Sequence, residues 1–149
     1  MSSKDFEGLD IEKLIQTMDD DKSEYLMGLT TKKLKKFNYD VLKRLKLSKQ
    51  VIKKFMTKLE GYKCVDELDE IKYGKFVRWI SLKEEPENMT LTTGGVICEL
   101  TISDNGTIVT CKNFANRYFK FFFDECVVFQ KLSAQEVVLM SALDILDGK

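Results

Sequence analysis

The spacing of the apolar residues changes near residue 70, and this change constrains the fold more than any other feature of the chain. Up to about residue 63, apolar residues recur at intervals of three and four, which is typical of helices with one buried face. Beyond Ile71 they alternate in steps of two, which is typical of β-strands. The sequence therefore predicts an α+β protein, with a basic helical unit over 1–70 and a β-rich unit over 71–149. We expect the second unit to be a small antiparallel β-sheet or open barrel with a C-terminal helix, and the two units to be separate or to share one core.

Three helices are predicted before residue 63, each from a capping residue and an apolar stripe. Asp10 can cap the first, Thr30 or Thr31 the second and Ser48 the third, and Gly61 is a natural stop for the last. The first helix is short and carries Leu14, Ile15 and Met18. The other two stripes are longer: Leu34, Phe37, Val41, Leu42 and Leu45, then Val51, Ile52, Phe55, Met56 and Leu59.

The pair Asn105-Gly106 predicts a β-hairpin, because it lies between two alternating runs and a type I′ turn needs two residues with positive φ. With this pair at the centre of the turn, Asp104 faces Thr107 and Leu100 faces Cys111. Alternation along the two strands then assigns one face of the hairpin to the core: Val96, Cys98, Leu100, Ile102, Val109 and Cys111.

Two further elements follow the hairpin. The run RYFKFFFDECVVFQKL carries alternating side chains: Phe119, Phe121 and Phe123 on one side, Tyr118, Lys120 and Phe122 on the other. We interpret it as part of a sheet with a packed core, and a base-stacking platform as in single-strand binders is the alternative. A helix then runs to about Leu146. Ser133 and Glu136 have the spacing of a capping box, and Leu132 and Val137 that of a hydrophobic staple.

Positive charge is concentrated in one third of the chain. From Lys32 to Lys63 there are twelve Lys or Arg residues against two acidic residues, a net charge of +10, although the whole chain is neutral. A solvated lysine face, docked or not on the acidic remainder of the chain, is the simpler interpretation. A surface for nucleic acid or for an acidic partner is the other. The candidate contact residues are Lys32, Lys33, Lys35, Lys36, Lys49, Lys53, Lys54 and Lys58.

The two basic helices also suggest a helix-turn-helix motif, in which the second helix reads bases in the major groove. The polar face of that second helix, from Lys49 to Lys58, has lysines but lacks arginine and asparagine. Such a face suits phosphates better than base edges. We therefore do not expect sequence-specific DNA recognition.

Several catalytic chemistries are excluded by composition. The chain has no histidine, which removes the commonest general base and metal ligand and excludes a Ser-His-Asp triad. Its four cysteines are separated by 34, 13 and 15 residues, so none forms the Cys-x-x-Cys pair typical of zinc sites. We expect reduced, buried thiols, no cofactor and no catalytic or metal-binding residues. An enzyme that uses its acidic clusters to hold magnesium is an alternative.

The strand YGKFVRWISL contains the candidate docking residues, Arg78 and Trp79. In a strand their side chains point to opposite faces. Arg78 lies among apolar neighbours, so it needs a carboxylate or several carbonyl groups if it is buried, and Asp124 or Glu125 is the candidate carboxylate. Trp79 is expected on the face that packs against the helical unit. We interpret the pair as a joint between that unit and the sheet.

Four segments together resemble a group of small uncharacterised proteins encoded by large double-stranded DNA viruses of algae and protists. They are KLEGYKCVDELDEIKYGKFVRWISL, LTTGGVICELTI, CKNFANRYF and VVFQKLSAQEVVLMSALDIL, covering about Leu59 to Leu146. None is a catalytic motif. The resemblance implies a viral setting, in the cytoplasm or nucleus of the host cell or in the virion, and it transfers no functional residues.

The function predicted from these observations is that of a non-enzymatic interaction or structural protein, for example a virion or assembly component. Its partner would be another protein or further copies of itself. The alternative is a nucleic-acid-associated accessory factor that binds phosphates through its basic helices. The N-terminus lacks the features of a secretory signal, and the chain has no apolar run near the roughly 20 residues that a membrane helix needs, so no membrane partner is expected.

Overall fold

A computed structural model describes residues 29–147 and confirms the α+β class. The described chain divides into two compact units, one of residues 29–36 and 132–147 and the other of residues 37–131. The helix predicted around Leu14 lies outside the described residues. The helices are α1 (Thr31–Arg44), α2 (Lys49–Lys58) and α3 (Ala134–Asp147). The strands are β1 (Tyr62–Val65), β2 (Phe76–Ser81), β3 (Gly95–Ser103), β4 (Gly106–Lys112), β5 (Tyr118–Phe122) and β6 (Cys126–Lys131).

All six strands form one antiparallel sheet in the order β1-β6-β2-β3-β4-β5. Strand β5 is at one edge, yet only the three residues Phe123–Glu125 connect it to β6, four positions away. In a flat sheet that distance would be about 19 Å. The connection reaches at most about 14 Å. The sheet is therefore curled, and the stacking of Trp79 in β2 on Phe121 in β5, with ring centroids 4.3 Å apart, confirms the curvature.

The two faces of the curled sheet have different coverings. The inner, concave face encloses the side chains of Val77, Trp79, Ile97, Val109, Cys111, Phe121 and Val128. The outer face of β1, β6 and β2 packs against α2 and the C-terminal part of α1. This second cluster joins Leu42, Ile52, Phe55 and Leu59 of the helices to Tyr62, Cys64, Ile80 and Phe129 of the strands. The outer face of β3, β4 and β5 lies outside that cluster.

The predicted apolar stripes of α1 and α2 are confirmed, and so are two of the predicted helix caps. Thr30 caps α1, since its hydroxyl accepts a hydrogen bond from Lys33 N, and Ser48 caps α2. Strand β1 was not predicted, because Tyr62–Val65 is only four residues long and follows directly on a helical pattern. It shares one compact unit with α2, so the predicted division near residue 70 does not coincide with the division of the structure.

The predicted hairpin forms, but its register is wrong. Ser103 pairs with Gly106 and Leu100 with Val109, so the turn is Asp104-Asn105, and of Asn105 and Gly106 only Gly106 has a positive φ. A β-bulge between Ile97 and Glu99 then turns Ile97 inward. The predicted core face is wrong at Val96 and Cys98, at and beyond the bulge, and at Ile102 beside the turn; all three are exposed. It is correct at Val109 and Cys111.

In the smaller unit, the predicted capping box of α3 is confirmed. Ser133 N donates to the Glu136 carboxylate at 2.8 Å, and Glu136 N donates to Ser133 Oγ at 3.1 Å. The predicted staple is wrong, because Val137 is exposed and Leu132 packs with Leu139 and Met140 instead. The carboxylate of Asp144 accepts hydrogen bonds from the backbone N and the hydroxyl of Thr31, which places a negative charge at the N-terminus of α1.

Candidate interaction surface

The four lysines of α2 share the solvent side of that helix, and we call them the lysine face: Lys49, Lys53, Lys54 and Lys58. They lie at i, i+4 spacing in two adjacent rows, because Ile52, Phe55 and Leu59 hold the opposite side in the core. All four are exposed, and no carboxylate of residues 29–147 forms an ion pair with any of them. The lysine face is therefore not docked on the acidic part of the described chain.

The lysines predicted on α1 lie in its first two turns. Lys32, Lys33, Lys35 and Lys36 are exposed, and these turns belong to the smaller unit. The structure thus places the eight candidate lysines in two groups of four, each on its own unit. The end of α1 and the turn that leads to α2 add three exposed basic residues to the same unit as the lysine face, Lys43, Arg44 and Lys46.

Arg78 is half-buried on the outer face of β2 and is bonded to backbone carbonyl groups. Its Nε donates to Thr92 O at 2.7 Å, and its Nη1 donates to Lys58 O at 3.4 Å. Of the two predicted carboxylate partners, Glu125 forms an ion pair with Lys83 instead, at 2.9 Å. Because Lys58 is the last residue of α2, the guanidinium places a positive charge where the helix exposes unsatisfied carbonyls. Arg78 therefore joins the end of α2 to the sheet.

Trp79 has a different position from the predicted one. Its side chain is 8% exposed on the inner face, stacked on Phe121, whereas the helices pack against the outer face. The two side chains point in opposite directions as predicted, but the assignment of Trp79 to the helix-facing side is wrong. Its indole is a core group and offers no surface to a partner.

A second surface lies on the outer face of β2 to β5, and of its residues only Tyr118 belongs to the aromatic run for which base stacking is the alternative interpretation of the sequence. Phe76, Val96, Lys112 and Tyr118 follow one another in register across the four strands. Phe114, in the loop after β4, stacks on Phe76 with ring centroids 5.7 Å apart. We call these five residues the aromatic row. The alternation of Tyr118 with Phe119 is visible in the sequence and puts Tyr118 on one face of its strand. The residues that share its row follow only from the cross-strand register.

Two of the three rings of the aromatic row are open to solvent, and that of Phe76 is half-buried. Phe114 is 91% exposed and Tyr118 is 63% exposed, and the Lys112 ammonium lies 5.6 Å from the centroid of the Tyr118 ring. The loop that carries Phe114 is held by Asn113, whose side-chain oxygen accepts hydrogen bonds from Ala115 N and Arg117 N. The surface therefore combines exposed aromatic rings with a cation.

The two edge strands of the sheet, β1 and β5, differ in the hydrogen bonding of their outward-facing backbone groups. At β1, the carboxamide of Asn38 accepts a hydrogen bond from Cys64 N and donates one to Tyr62 O, so a side chain occupies the place of a neighbouring strand. At β5, no strand within residues 29–147 pairs with the edge of the strand that is opposite β4. Tyr118–Phe122 is thus an edge strand of the kind that accepts an added strand.

The thiols of three cysteines are poorly suited to chemistry. Burial raises the pKa of Cys64 and Cys111 to about 12, aided by the negative charge of Asp66 at the first and by Cys98 at the second. Burial, followed by the carboxylate of Glu125, raises the pKa of Cys126 to about 11. Since the thiolate is the nucleophile and the metal ligand, these groups are inert near neutral pH. All four thiols are unpaired. The expectation that all four are buried is correct at Cys64 and Cys111, whereas Cys126 is half-buried and Cys98 is exposed.

No protein-family model, curated protein or solved structure matches this chain. Within residues 29–147, no helix is both long and apolar enough to cross a membrane, and no group of three or more acidic or cysteine side chains is arranged to hold a metal ion.

Proposed function

We propose that this protein acts by binding rather than by catalysis, and that its ligand is a nucleic acid held through its phosphates. The observation that carries the proposal is the lysine face, with four exposed ammonium groups that no carboxylate of the described chain pairs. Lysines in such an array neutralise phosphates and release the counterions condensed on the nucleic acid. The chain lacks histidine, and the pKa values of three of its thiols are raised, which supports binding over chemistry.

The helix itself supports this interpretation. Like charges at i, i+4 destabilise a helix by roughly 0.2–0.5 kcal/mol a pair, and α2 contains two such pairs, Lys49 with Lys53 and Lys54 with Lys58. A polyanion laid along the face would remove this repulsion. At about 1.5 Å per residue, α2 offers charge over roughly 15 Å.

The test is the affinity of the protein for fluorescently labelled single-stranded and duplex oligonucleotides, measured by anisotropy at about 50 mM salt. The matched variant replaces all four lysines with glutamine, which retains helix propensity. We expect the wild type to bind and K49Q/K53Q/K54Q/K58Q to bind at least tenfold more weakly. If the wild type binds neither oligonucleotide at that salt concentration, the proposal is wrong.

A protein partner, including further copies of the chain, is the second candidate, and the open edge of β5 favours it. Strand addition would satisfy the free backbone groups of Tyr118–Phe122, and a virion or assembly component in the host cytoplasm or nucleus would use it in this way. Sedimentation velocity over a range of concentrations tests self-assembly. Association that is lost in Phe119→Lys, which puts a charge on the edge, but kept in Ile102→Lys would support it. A monomer at all concentrations would contradict self-assembly.

A further inference from the structure

We infer that the aromatic row is a stacking surface for unpaired bases, so that the ligand of the lysine face is single-stranded rather than duplex nucleic acid. This inference rests on the proposed function and deepens it. Single-strand binders combine a basic track for the backbone with aromatic rings on which successive bases stack. Sheets that present aromatic side chains on one face bind RNA bases in the same way.

The rings of Phe114 and Tyr118 are placed for stacking. Each contacts a neighbour, Phe114 the ring of Phe76 and Tyr118 the ammonium of Lys112, and each remains largely solvent-exposed. An aromatic side chain has few rotatable bonds, so it loses little conformational freedom when a base stacks on it. The row spans three strand spacings from Phe76 to Tyr118, roughly 14 Å along the sheet. Phe114 stacks on Phe76 at one end and Tyr118 is at the other, so each ring can take its own base.

The charge around the row complements phosphate. Lys112 lies within it, Lys120 is exposed on the same face one row further along the strands, and Arg117 is exposed in the preceding loop. Glu99 is the carboxylate on this face, in register with Thr110 between the strands of the row. Three cations against one carboxylate favour a polyanion with apolar, planar groups, which describes a nucleic acid strand with its bases unpaired.

The aromatic row and the lysine face are joined through β2. Arg78 bonds the carbonyl of Lys58 at the end of α2, and Phe76, two residues before it on the same face, packs against the cluster that holds α2. The side chain of Phe76 then contacts Phe114. The C-terminal end of the lysine face and the aromatic row are thus linked through two residues of β2, Arg78 and Phe76.

Base pairing decides which nucleic acid can use both surfaces. In a duplex the faces of the bases are stacked on one another, so only the phosphates are available to the protein. In a single strand the bases can turn outward and stack on Phe114 and Tyr118. The lysine face alone would bind both forms, and the aromatic row adds affinity for the unpaired form.

The experiment measures affinity for a single-stranded and a duplex oligonucleotide of equal length, in the wild type and in F114A/Y118L. The matched control is Ile102→Ala, which truncates a side chain that is 84% exposed on a different part of the sheet. We expect the wild type to prefer the single strand, F114A/Y118L to lose roughly fivefold or more of its single-strand affinity and little duplex affinity, and Ile102→Ala to lose neither. Photo-cross-linking of a 5-iodouracil strand should label Phe114 or Tyr118.

A second variant tests whether the ligand lies on this face of the sheet without altering an aromatic ring. Glu99→Gln removes the carboxylate of this face and should raise single-strand affinity by about two- to fivefold at low salt. Equal affinity for both forms, with no loss in F114A/Y118L and no gain in Glu99→Gln, would overturn the inference. If K49Q/K53Q/K54Q/K58Q still weakens binding in that case, the proposed function stands without it; if no nucleic acid binds at all, both are wrong.

Discussion

The side chain of Asn38 forms a strand-like pair of hydrogen bonds with β1, with its Oδ1 3.1 Å from Cys64 N and its Nδ2 2.8 Å from Tyr62 O. Asn38 is 2% exposed. It joins α1 to the sheet and closes an edge that would otherwise present free backbone groups. Because β5 has no such closure within residues 29–147, the two edges of one sheet differ in their capacity to bind a partner.

Replacing Asn38 with alanine should destabilise the protein by about 2–4 kcal/mol. The change leaves one buried backbone donor and one buried acceptor without partners, and each costs about 1–3 kcal/mol. Chemical denaturation measures the loss, with Asn88→Ala as the control, because Asn88 is exposed in a surface turn. Equal stability of the two variants would show that Asn38 does not hold the edge of β1.

Gly94 and Gly74 form a matched pair for testing the close approach of the chain to β2. Both have positive φ, 88° and 81°, but a Cβ at Gly94 would lie 2.2 Å from Val77 O, whereas one at Gly74 would have open space. Gly74→Ala should cost about 1–2 kcal/mol from backbone strain alone. Gly94→Ala should cost at least about 2 kcal/mol more, because backbone must move. Thermal unfolding compares the two, and similar losses would contradict the close packing.

Alkylation should distinguish Cys98 from the other three thiols. It is exposed, whereas burial raises the pKa of Cys64 and Cys111 to about 12 and that of Cys126 to about 11. With a pKa of about 11 or 12, less than about one thiol in a thousand is ionised to thiolate at pH 7.5. The thiolate fraction rises about tenfold with each unit of pH until the pH reaches the pKa. Iodoacetamide at pH 7.5 should therefore label Cys98 first, as read by peptide mass spectrometry. Labelling of Cys64 or Cys111 at the same rate would contradict the burial of those thiols.

Local patterns predicted the elements well and their tertiary relationships poorly. Ser48 and Glu136 are in the predicted capping positions, because capping depends on a few adjacent residues. The register of the hairpin failed because the turn centres on Asp104-Asn105, one residue earlier than predicted, and the bulge at Cys98 then adds one residue to β3. Period-2 alternation carries no sign of either feature. Trp79 was assigned to the wrong face of β2, since alternation separates two faces without saying which one meets the helices.

The same limit applies to the candidate surfaces. The lysines were recognisable because Lys49 and Lys53, with Lys54 and Lys58, lie opposite an apolar stripe. The aromatic row was not, because it depends on side chains from four strands and one loop, and their alignment follows from the register. The carbonyl partners of Arg78 come from α2 and from the segment before β3, and both are distant in sequence.

The central claim, that phosphates bind along α2, is tested most directly by the salt dependence of oligonucleotide affinity in two charge-matched variants. K53Q/K54Q removes two cations from the lysine face, and K83Q/K131Q removes two exposed cations elsewhere on the same unit. For a single strand, each lost phosphate contact should reduce the slope of log affinity against log salt by about 0.7. We predict a slope smaller by about 1.4 for K53Q/K54Q and an unchanged slope for K83Q/K131Q. Equal slopes for the wild type and K53Q/K54Q would contradict the claim.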